Sequence, residues 1–124
     1  MGSVRFTCKD DVKLEDVMLF NPKLWIVFGH FLNFADGRNL PVVVTSLMTD
    51  RENVQAVSRT HEDGRALDVS TKDWSEQDIE HCIAYMKNVA GHYGAISFSD
   101  NERRVIVYHN YMNQGDHFHL QVAR

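Results

Sequence analysis

Apolar residues recur at helical spacing through Leu24, Trp25, Val27, Phe28, Phe31, Leu32 and Phe34. That period predicts a helix over about 22–35 with one stripe turned to the core. Asn21-Pro22 marks its start. Asn can cap the first turn, and Pro suits the first helical position, where no N–H is needed. Asp36-Gly37 marks its end. His30 falls on a mixed face of this helix and reads as a surface or satisfied core residue. A second helix is predicted from Ser75, an N-cap followed by Glu76 and Asp78, which the helix dipole favours in a first turn. Ile79, Cys82, Ile83, Met86, Val89 and Ala90 form its inward stripe, and Gly91 or Gly94 stops it.

Other stretches follow strand patterns. Pro41 to Ser46 is a β-branched run whose consecutive apolar residues predict a strand covered, in part, on both faces. Ala66 to Ser70 alternates, so Asp68 points opposite to Leu67 and Val69. Ala95 to Ser99 and Arg104 to Tyr108 flank the turn residues Asp100-Asn101-Glu102 and suggest a hairpin. His117 to Val122 reads as the last strand, with His119 on one face and Phe118 and Leu120 on the other. Residues 4–20 fit either a short helix or an extended edge segment. Residues 48–60 are polar and irregular, which predicts a functional loop, with one helical turn near 51–56 as an alternative. The sum is an α+β fold: a small antiparallel sheet with helices packed on one face.

Composition narrows the classes. The chain has 124 residues, enough for one domain with a real core and too few for two. A net charge of −4 argues against a nucleic-acid backbone binder. Arg103-Arg104 reads as a solvated strand end. Cys8 and Cys82 are too few and too distant for a disulfide framework, and Cys82 is expected to be a buried thiol. No apolar run reaches membrane-spanning length, and the first ten residues lack a signal-peptide core. A monomer made in the cytoplasm, without membrane contact, is the expectation.

Two stretches carry chemistry: His61 to Asp68, and Asp116-His117-Phe118-His119. A catalytic zinc takes three ligands from His, Asp, Glu and Cys and keeps a fourth position open. His61 and Asp68 are seven apart and converge only if the chain between them turns. Gly64 permits that turn, and Ala66 leaves room for backbone or substrate. His117 and His119, two apart on a strand, project from one face. Asp116 stands three residues before His119.

His61-Glu-Asp-Gly64-Arg-Ala66-Leu-Asp68 resembles the His-x-x-Gly-x-Ala-x-Asp signature of the zinc D-alanyl-D-alanine peptidases. Their fold is shared with the Hedgehog signalling domain and with phage L-alanyl-D-glutamate endolysins. His119, with an acidic residue three earlier and a His two earlier, is similar to that family's closing motif. The upstream order of helix, strand and polar loop agrees too, so the resemblance spans about 22–124. It implies that His61, Asp68 and His119 bind zinc. It implies that Asp116 is the general base toward the attacking water and that His117 steadies the oxyanion or orients the water. The substrate would be a peptide of bacterial peptidoglycan, and the protein a phage or prophage endolysin.

Three departures bear on substrate identity. The family's Ser two residues before the first zinc His is Arg59 here, with Ser58 one earlier. The family's substrate-anchoring Arg after the Thr-Ser strand end is replaced by Leu47-Met48-Thr49, so Arg51 or Arg59 would have to serve. The base is Asp rather than the commoner Glu. A different class also fits: a zinc-stabilised, non-catalytic binding protein of the same fold, acting on a host factor or small ligand. A hydrolase of the same zinc chemistry acting on a non-wall amide is a third. The His-x-His dioxygenases need further ligands beyond Arg124, and a Ser-His-Asp hydrolase would need a nucleophile elbow that is absent.

Overall fold

The computed structural model describes residues 6–8, 21–46, 65–96, 101–111 and 115–123. The chain is α+β. Helix α1, Pro22–Gly37, starts as its sequence predicts: Asn21 Oδ1 accepts from the Lys23 amide at 2.9 Å, with Pro22 at the first position. It runs through Gly37, and the reversal falls at Asn39, at φ 56°. Asn enters the left-handed region at less steric cost than most residues, because its short polar side chain bonds locally. Leu24, Val27, Phe28, Phe31, Leu32 and Ala35 are buried along one stripe. Trp25, expected in that stripe, is 39% exposed instead. It sits about 100° round the helix from Leu24, off the buried face.

Helix α2, Glu76–Ala90, carries a reciprocal cap. Ser75 Oγ accepts from the Asp78 amide at 3.1 Å and donates to Asp78 Oδ2 at 2.9 Å. The Ser75 hydroxyl and then Arg38, 3.1 Å away, hold the Asp78 carboxyl below its ordinary pKa. Gly91–Tyr93 continues as a 3₁₀ turn, so the stop lies at Gly94.

The main sheet has the order β1-β2-β3-β7-β6. Its strands are β1 (Thr7–Cys8), β2 (Val43–Ser46), β3 (Ala66–Ser70), β6 (Ile106–Tyr111) and β7 (Gly115–Gln121). β2, β3, β7 and β6 pair antiparallel, as expected, but β1 lies parallel to β2. The sheet is therefore mixed rather than antiparallel. Parallel neighbours need a crossover connection, and the chain carrying α1 supplies one. The predicted hairpin is also redistributed. β4 (Ala95–Ile96) pairs with β5 (Arg103–Arg104) in a separate two-stranded sheet. After a bend at buried Val105 the chain enters the main sheet as β6.

The core lies between one sheet face and both helices. Leu67, Val69, Phe118 and Leu120 come from the sheet and are fully buried. Phe118 meets Phe31 edge-on at 5.7 Å and Trp74 at 5.3 Å. Trp74 satisfies its indole N–H on the Pro41 carbonyl at 2.8 Å. Cys82 is buried among these residues, and desolvation pushes its thiol up to about 12.

Candidate functional site

The alternation that buries Phe118 and Leu120 turns His117, His119 and Gln121 to the opposite sheet face. β3 and β7 run side by side with Asp68 opposite His119 and Ser70 opposite His117. Residues 51 positions apart thus meet, and Asp68 Oδ1 lies 2.9 Å from His119 Nδ1. Each side chain is 13% exposed, so the pair is close to solvent yet largely shielded. The other ring nitrogen, Nε2, is 3.0 Å from Gln121 Oε1. Gln121 is buried, and its amide nitrogen donates to the Arg104 carbonyl at 3.0 Å. The imidazole is therefore held at both ends, by a carboxylate and by an anchored amide.

Gln121 was not among the residues the sequence singled out. Its signal was available: two beyond His119 on an alternating strand, it must share that face. Outer partners of this kind set ring orientation and tautomer at histidine ligands.

Asp116 is placed differently. It has the parity of Phe118, and its Oδ2 accepts from the Tyr108 hydroxyl at 2.8 Å. Tyr108 itself packs on Phe118 at 5.7 Å. Asp116 therefore lies on the helix side of the sheet, away from the Asp68–His119 pair. Burial first, then the Asp116 hydrogen bond, raises the Tyr108 pKa, since both favour the neutral phenol. His117 shares the face of His119, at the position between Ser70 on β3 and His109 on β6. His61, Arg51, Ser58 and Arg59 lie outside the described residues, as do all of residues 48–60, where the sequence predicts a loop.

Among the described residues no group of three or more His, Cys, Asp or Glu is gathered to hold a metal ion. Two of the three ligands expected of a zinc site are nevertheless in contact. Two donors on one tetrahedral zinc, each at about 2.0–2.1 Å, stand about 3.3 Å apart. The 2.9 Å separation of Asp68 Oδ1 and His119 Nδ1 needs to open by only a few tenths of an ångström to match. The donor chemistry and spacing of Asp68 and His119 are compatible with two ligands of one zinc ion. No helix of the described residues is long and apolar enough to cross a membrane. No family model, curated protein or solved structure matches the chain.

Proposed function

We propose that this chain is a zinc-dependent peptidase of the Hedgehog/DD-peptidase type, hydrolysing a peptide bond in bacterial peptidoglycan peptides. One observation carries the reading: the carboxylate of Asp68 and the imidazole of His119 meet at 2.9 Å on the sheet face away from the helices. His61, Asp68 and His119 would hold the zinc. Zinc held there would supply Lewis-acid activation of water and of a substrate carbonyl. His117, on the same face, would donate to the developing oxyanion. The resemblance would make Asp116 the general base that takes the proton of the attacking water and passes it to the leaving amine; its carboxylate is on the helix side of the sheet, so that role would require the start of the last strand to turn Asp116 over to the zinc face. Arg51, Arg59 and Ser58 are the candidates for holding the substrate's far end. A phage or prophage endolysin of this kind would be made in the host cytoplasm and reach the wall later.

A second reading draws on the position of Asp116. With that carboxylate engaged by Tyr108 on the far side of the sheet, the same zinc would be structural and the protein a binding protein. Elemental analysis, followed by incubation with purified peptidoglycan with and without chelator, separates the two. Chelator-sensitive release of amino groups that Asp116→Ala abolishes, with zinc retained, supports the peptidase. Stoichiometric zinc without release, and unfolding of His61→Ala, supports the binding protein. A protein that takes up no zinc at neutral pH contradicts both.

A further inference from the structure

A second recess lies on the other side of the sheet, between the start of α2, the β3–α2 turn and β6–β7. It is a cleft of about 670 Å³, within the range of small-ligand sites. Trp74, Ile79, Ile83 and the Tyr108 ring give it an apolar floor. Its polar rim is one-sided: Glu76, Glu80 and Asp116 supply three carboxylates, against the single ammonium of Lys72. Glu76 and Glu80 are one helical turn apart on α2, as are Ile79 and Ile83, so the helix offers acid and apolar surface together. Thr71 adds a separate sign. It lines the cleft and is 96% buried by its 4% exposure. Its Oγ1 has no hydrogen-bond partner among the described residues. The hydroxyl makes a weak side-chain hydrogen-bonding contact with the Tyr108 phenol, enough to offset part of that group's upward shift but short of full hydrogen-bond geometry. Buried hydroxyls normally find partners, so this one is a polar group with bonding capacity left at the wall of the recess.

We propose that this cleft binds an organic cation: an apolar body lying on Trp74 and Ile83, with one ammonium group received by Asp116, Glu80 and Glu76. A free amine and a lysyl side chain share this chemistry. The site does not depend on zinc, because it opens on the helix side of the sheet.

The test titrates phenethylamine and its neutral counterpart 2-phenylethanol into the purified protein, followed by NMR and by tryptophan fluorescence. A short acetylated peptide containing Lys, with norleucine as its control, forms the second arm. A charge-assisted hydrogen bond predicts that at least one amine binds about tenfold or more tighter than its neutral counterpart. Which arm binds identifies the source. Glu80→Gln, at an exposed helix position, and Asp116→Asn, whose amide oxygen can still accept from Tyr108, should each weaken that amine several-fold. Chelator should leave binding unchanged. Equal binding of amine and neutral counterpart overturns the proposal. So does failure of both amines to bind at their solubility limit, or indifference to both substitutions.

Discussion

Gly94 tests whether the fold and the proposed zinc site are coupled as the contacts imply. A Cβ at Gly94 would stand 2.4 Å from the Arg104 carbonyl carbon, 2.6 Å from the Val105 nitrogen and 2.7 Å from the Arg104 oxygen. All three atoms are backbone, so no side chain can swing aside. Ordinary contact begins near 3.4 Å, and the Arg104–Val105 peptide would have to retreat by up to about 1 Å. Overpacking of this kind costs about 1–3 kcal/mol. The backbone of Gly94, φ −64° and ψ 154°, is open to alanine, so the clash alone sets the loss. The displaced peptide also bears on the proposed zinc site. Its carbonyl accepts from Gln121 Nε2, the next carbonyl, on Val105, accepts from the Gln121 amide at 2.9 Å, and Gln121 Oε1 faces His119. Gly94→Ala should therefore lower zinc affinity about tenfold or more as well, the scale seen for lost outer partners. Gly29→Ala is the control. That glycine sits inside α1 with nothing within 4 Å of its added Cβ, and alanine there should stabilise by about 0.5–1 kcal/mol. Urea unfolding followed by far-UV circular dichroism, at equal m-values, measures both. A Gly94→Ala protein as stable as wild type, with unchanged zinc affinity, refutes the argument.

Cys82 should resist thiol reagents at neutral pH until the chain unfolds, because burial holds its pKa near 12; labelling in native buffer at the rate of unfolded protein would contradict that. The same upward shift means that its contribution is fully present below the unfolded thiol's pKa and fades as pH rises toward about 12. Asp78 has the opposite sign: its folded pKa is lowered, so its contribution holds above the unfolded carboxylate value and disappears as pH falls through the folded one. Urea midpoints below pH 5 should accordingly depend less on pH in Asp78→Asn than in wild type. Ser75→Ala removes the α2 cap and should cost about 1 kcal/mol by the same unfolding measurement. Phe118→Ala empties the meeting point of Phe31, Trp74 and Tyr108, and about 3–5 kcal/mol should be lost in equilibrium unfolding.

Both helices, their caps and the face assignments of β3 and β7 were legible in the chain, because they rest on local periodicity and on side chains that reach only a few residues. Asn21, Ser75, Asp68 and His119 all act through such rules. Tertiary structure decided the rest. The parallel placement of β1 depends on where α1 returns the chain, and the split of the predicted hairpin depends on which sheet captures Ile106. That Asp68 opposes His119, rather than a neighbour two positions away, is a register set by packing along the whole strand pair. Asp116 was read by its distance of three from His119, yet the pleat gives odd offsets opposite faces, and Tyr108 was there to take its carboxylate. Spacing along a strand tells which side chains share a face; only the assembled sheet tells what stands across from them.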